Sequence, residues 1–145
     1  MVLVLMAILI FFSVAAYTDI KTKMIPDWIP LCIILVGCTK NLWLQYDWIP
    51  SVISGSIILL AFIVVIAIEN AIKVNGIGGG DIKLMVSTAF TLGIYPTAII
   101  LLIACIGSAV HITLKKHWFH ISYKEVRIPM APYFLIGYIT YLILK

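Results

Sequence analysis

Between Lys83 and Lys115 the chain runs for 31 residues without an aspartate, glutamate, lysine or arginine. Few folds accommodate such a run, because roughly a quarter of the residues in a soluble domain are charged. As one helix it would measure about 47 Å, well beyond a hydrocarbon core of roughly 30 Å. Gly93-Ile94-Tyr95-Pro96 supplies a break, since glycine is permissive and proline interrupts the hydrogen-bond ladder. The run therefore reads as two helices, over about residues 81–92 and 95–114.

Similar runs recur. Residues 1–18 carry no charge, and neither do residues 48–68 between Asp47 and Glu69. Over the whole chain only 11% of residues are charged and 63% are hydrophobic. That balance excludes a soluble globular domain, a disordered tail and a secreted disulfide scaffold. No positive residue precedes the first run, as a secretory signal would require. The expected architecture is an all-α integral membrane protein, one domain over residues 1–145. Six transmembrane helices are expected, over about 1–19, 28–46, 48–68, 81–92, 95–114 and 128–144. The fourth is short, so it should start below the membrane surface.

Charge placement orients these spans. The turns after the first, third and fifth helices hold Lys21, Lys23, Lys73, Lys83, Lys115, Lys116, Lys124 and Arg127. The opposite side keeps Lys40, close enough to a helix end to snorkel, and Lys145. The positive-inside rule makes the crowded side cytoplasmic and puts both termini outside a multi-pass plasma-membrane protein. A five-span arrangement would erase this asymmetry.

Several chemistries find no support. Cys32, Cys38 and Cys105 lack CxxC spacing and sit in apolar stretches, so they read as small core residues. His117 and His120 share a helical face, but no acidic or cysteine partner lies at ligand spacing, so no metal is expected. With His111 nearby, Lys115-Lys116-His117-Trp118-Phe119-His120 reads as a basic, aromatic interfacial segment. No dense basic patch with interleaved aromatics points to nucleic acid. The lipid bilayer is the partner that composition demands.

With charge so scarce, each acid needs a reason. Glu69 and Lys73 are spaced for an i,i+4 pair. Asp27, after Pro26 and before a helix, suits an N-cap. Lys21, Lys23 and Lys83 read as topology anchors. Asp19 ends an uncharged helix, and Asp81 follows Gly76-Ile77-Gly78-Gly79-Gly80 and opens the short helix. Both belong to the same membrane face. Brought together, two carboxylates share a proton, one activating water as general base and the other protonating a carbonyl. Glycines before Asp81 would let a substrate strand or another helix approach closely. The residues alone leave two readings open: a catalytic pair, or interfacial acids paired with Lys21 or Lys83.

These segments resemble the type IV prepilin peptidases and archaeal preflagellin peptidases, membrane aspartyl proteases of the GxGD class. Gly78-Gly79-Gly80-Asp81 matches GxGD, extended by Ile82-Lys83-Leu84-Met85. Asp19-Ile20-Lys21-Thr22-Lys23-Met24-Ile25-Pro26-Asp27 is similar to the first-aspartate motif. Ile128-Pro129-Met130-Ala131-Pro132-Tyr133 is like the start of the family's last helix. The resemblance implies catalytic Asp19 and Asp81, with Gly78, Gly80, Lys83, Pro26, Asp27, Pro129 and Pro132 as motif residues at the substrate approach. It implies cleavage of a short basic leader from prepilin-like proteins at the cytoplasmic face, after a glycine and before an apolar helix. No cofactor is implied. The first aspartate is reached by residue 19 with no cysteine pair before it, so the resemblance is to a short form without the methyltransferase-associated domain. In size it looks like the peptidases of tight-adherence (Flp-type) pilus systems. The alternative functions are a small proton-coupled transporter subunit using Asp19 and Asp81 as a relay, and a structural membrane scaffold.

Overall fold

Residues 2–72, 78–119 and 129–144 are described by a computed structural model, without the side chains of residues 116–119. Among the described residues six helices follow in order: α1 (Val2–Thr22), α2 (Trp28–Leu44), α3 (Trp48–Ile72), α4 (Gly79–Leu92), α5 (Ile94–Phe119) and α6 (Ala131–Leu144). Among them α1, α3 and the Ile94–Lys115 part of α5 are long and apolar enough to cross a membrane, while α2 and α6 are shorter apolar helices. Ile53, Leu60 and Val64 of α3 are exposed, which suits a helix facing lipid.

The helix ends correct several expected boundaries. α1 continues one turn beyond Asp19, so that aspartate lies inside the last turn and not at its end. α4 begins at Gly79, since glycine preceding an aspartate does not prevent a first turn from closing. The break before α5 is a single residue, Gly93, at φ 96°, a conformation that favours glycine. Pro96 then falls in the first turn of α5, where its missing N–H costs nothing. α6 begins at Ala131, later than the expected 128. Lys73, and with it the expected Glu69–Lys73 pair, lies outside the described residues, as do His120, Lys124, Glu125, Arg127 and Lys145 and the side chains of Lys116 and His117.

Neighbour contacts run α1–α2, α2–α4, α4–α5, α5–α6 and α6–α1, with α3 flanking α4 and α5. Ile8 and Phe12 of α1, Leu84 and Met85 of α4, Ile100 of α5, and Phe134 and Tyr138 of α6 share the core. Phe12 and Tyr138 stack at 5.2 Å, and the Tyr138 hydroxyl donates to the Leu5 carbonyl at 2.8 Å. Small residues set the closest approaches, as they do between membrane helices generally. A Cβ on Gly137 would lie 2.7 Å from the Ile100 carbonyl oxygen, so α6 rests directly on the α5 backbone. One on Gly107 would lie 2.9 Å from the ring of Tyr133, whose hydroxyl is hydrogen-bonded to His111 Nδ1.

α4 is the most polar of these helices and is held from three sides. Its Ser87, Thr88 and Thr91 are fully buried. Ser87 and Thr88 hydroxyls donate to the Leu84 carbonyl, and the Thr91 hydroxyl lies 2.9 Å from the Ser87 and Ile33 carbonyl oxygens. At 14 residues α4 spans about 21 Å, and its last carbonyls need donors. Lys40 of α2 supplies one, its ammonium donating to the Thr91 carbonyl at 2.6 Å. The side chain expected to snorkel instead caps a neighbouring helix.

Candidate active site

Asp19 is almost completely buried, 6% exposed. Its Oδ2 accepts a hydrogen bond at 2.9 Å from the backbone N–H of Ala131, the first residue of α6. Helix starts leave such N–H groups unpaired and carry partial positive charge. Pro132, the next residue, has no N–H to offer. The proline-bounded entry to α6, from Pro129 to Pro132, thus leaves the Ala131 donor for a carboxylate supplied by α1.

Asp81 is half-buried in the first turn of α4, a helix expected as the fourth span but not among the helices long and apolar enough to cross a membrane or the shorter apolar ones. Gly78 is the N-cap, and its backbone N–H donates to the Asp81 carboxylate. This is one half of a capping box, in which the third helical residue reaches back to the cap. Burial, and after it the negative charge of Asp19, push the Asp81 carboxyl from 3.8 up to about 6, against the Gly78 hydrogen bond. The two carboxylates therefore lie close enough for one to alter the charge of the other, although 62 residues separate them in sequence.

Each position of Gly78-Gly79-Gly80-Asp81 has its own steric reason. A Cβ on Gly78 would sit 3.0 Å from Asp81 Oδ2 and crowd the carboxylate. One on Gly80 would sit 3.0 Å from Ile25 Cβ and 3.5 Å from the Ile25 backbone nitrogen. One on Gly79 would meet nothing within 4 Å among the described residues. Close approach was the expected role of the glycines. The approaching element is the α1–α2 turn, which carries the first-aspartate segment onto the start of α4.

That turn also corrects the expected cap. Asp27 precedes α2 but has helical backbone angles, φ −64° and ψ −21°, and makes no side-chain cap hydrogen bond. A capping aspartate needs an extended backbone to return its oxygen to the next N–H groups. Asp27 instead forms a 2.7 Å ion pair with Lys83 of α4. Lys83, expected as an anchor, is joined to the α1–α2 turn. The Ala131 N–H and Ile25 were not singled out from sequence, because one is a backbone group and the other an ordinary apolar residue.

A family model for the type IV leader peptidase family matches residues 6–113, a stretch that contains both aspartates and all of α2, α3 and α4. No curated protein and no solved structure matches the chain.

Proposed function

The chain belongs to the type IV leader peptidase family, and from that premise we propose that it is an aspartic endopeptidase acting through Asp19 and Asp81. Its substrates are prepilin-like precursors whose short basic leader ends at a glycine before an apolar helix. The observation that carries this reading is the unequal setting of two neighbouring carboxylates. Asp19 is buried and accepts a hydrogen bond from a helix-start N–H, while half-buried Asp81 holds its proton to about pH 6.

The chemistry follows from that inequality. Asp19 takes a proton from a water molecule as its oxygen attacks the scissile carbonyl. Asp81 gives its proton to the carbonyl oxygen, forming a neutral gem-diol. Collapse breaks the C–N bond, and the proton held by Asp19 passes to the leaving amine. The diol proton returns to Asp81, so both carboxyls end as they began. The positive-inside reading puts this chemistry at the cytoplasmic face of the plasma membrane.

The test uses the purified chain in lipid vesicles with a synthetic precursor: a lysine-containing leader, a glycine and an apolar helix. Mass analysis should show one cut after the glycine. An uncut precursor, together with proton flux that depends on Asp19, would instead favour a transporter. The pH dependence is a further expected outcome. The acid must stay protonated, so the rate should fall about tenfold per unit as pH rises beyond the Asp81 value of about 6. Initial rates across the pH range check this, and a rate that climbs steadily from pH 6 to 8 would remove Asp81 as the acid.

A further inference from the structure

The peptidase chemistry leaves the Lys83–Asp27 pair without a role. Its placement is fixed from both sides: Gly80 lies against Ile25, and Pro26 restricts the backbone immediately before Asp27. Gly80 and Lys83 are three residues apart and share one face of α4, so the pair lies where the α1–α2 turn crosses the first turn of the helix. The Asp27 side chain is 77% exposed and that of Lys83 56%.

An exposed ion pair of this kind contributes only about 0–1 kcal/mol. Another cation can replace Lys83 at almost no cost. The surrounding charges show which ligand would gain. Lys21 and Lys23 are exposed on the last turn of α1 and just beyond it, and the Lys21 ammonium lies 5.9 Å from the Tyr17 ring centre. Asp19 is buried and Asp81 half-buried. On the α1–α2 turn Asp27 is the exposed carboxylate, while Glu69 near the end of α3 is half-exposed. A cationic peptide approaching the two aspartates meets repulsion from the lysines, and on the α1–α2 turn it meets the negative charge of Asp27.

We infer that Asp27 is the docking carboxylate for a lysine or arginine side chain of the substrate leader, with Lys83 its resident competitor. The inference rests on the leader-peptidase reading above. On binding, the leader cation takes the place of Lys83 on Asp27, and Lys83 is released to solvent. The docked residue lies a few positions from the scissile bond, because Asp27 is two residues from Ile25 and Ile25 touches the residue before Asp81. An arginine would dock better than a lysine, since its planar fork can bind the carboxylate through two hydrogen bonds.

The experiment uses the whole chain in vesicles with two synthetic precursors that differ only in a lysine-containing or a glutamate-containing leader. Asp27→Lys should raise KM for the lysine leader about fivefold to tenfold, leave kcat nearly unchanged, and improve cleavage of the glutamate leader. Asp27→Asn should raise KM for the lysine leader without improving the other. Lys83→Met should lower KM for the lysine leader about twofold or more, because the competitor is gone. A purely structural clasp gives the opposite signs: Lys83→Met would raise KM or lower kcat, and Asp27→Lys would harm both leaders equally. Those results overturn the inference and leave the peptidase reading standing. Failure of the unaltered chain to cut either precursor overturns both.

Discussion

Asp81→Asn is expected to lower kcat for leader removal about 10³-fold with little change in KM, and also to make the folded chain more stable above pH 6. The kinetic loss follows from the loss of an acid: an amide cannot deliver a proton to the carbonyl oxygen, and a positioned general acid contributes about 10²–10⁴-fold. The stability gain follows from the raised pKa of the same carboxyl. Between about pH 4 and 6 the folded chain holds a proton that the unfolded chain has released. Stability therefore falls as pH rises through that window, by about 3 kcal/mol in all, and stays lower above it. An asparagine carries no charge to bury, so the penalty disappears. Thermal unfolding in detergent should show the variant above the parent at pH 7.5 and level with it near pH 4. A variant less stable at both values would mean that the Asp81 carboxylate is structurally satisfied and not strained. A gain in stability on loss of a functional group is the usual signature of an active site held against its preference.

Gly80→Val should nearly abolish cleavage, by about 10²-fold or more, whereas Gly79→Ala should be tolerated. Even the first carbon of the valine would stand 3.0 Å from Ile25 Cβ and 3.5 Å from the Ile25 nitrogen, and its two methyl groups add bulk to that contact. The α1–α2 turn must then lift from the start of α4, shifting the segment that follows Asp19 relative to Asp81. Misplacement of reacting groups by about 1 Å can cost about 10²-fold. Gly79 has open space around it and lies in the helix, so alanine there should add up to about 1 kcal/mol of helix stability. Gly78→Ala belongs between them, because its Cβ crowds Asp81 Oδ2 at 3.0 Å. Cleavage rates at matched protein levels check the order. Equal damage from Gly79→Ala and Gly80→Val would mean that the glycines serve the approach of substrate and not of Ile25.

Much of this arrangement can be read from residue types. The uncharged runs mark the apolar helices, Gly93 marks the break between α4 and α5, and scarcity of charge singles out Asp19 and Asp81. What sequence does not show is which partner each polar group finds. Asp27 has the side chain of a cap, but its helical φ and ψ keep it from capping, and that choice is made by the packing of Ile25 on Gly80. Lys40 looks like a residue reaching for the membrane surface, yet the short α4 ends beside it and leaves the Thr91 carbonyl to be satisfied. The Ala131 N–H carries no sequence signal of its own beyond its place before Pro132. Local preference sets the helices, while burial of unpaired backbone and side-chain groups sets the contacts between them.

The most direct test of the two-aspartate site is the rate of leader removal in vesicles by Asp19→Asn, Asp81→Asn and the double variant. Groups that act as one unit lose their joint contribution when either is removed. Each single variant should fall to background, and the double variant should be no slower than either. A single variant that retains substantial cleavage, or losses that multiply in the double variant, would contradict a shared active site.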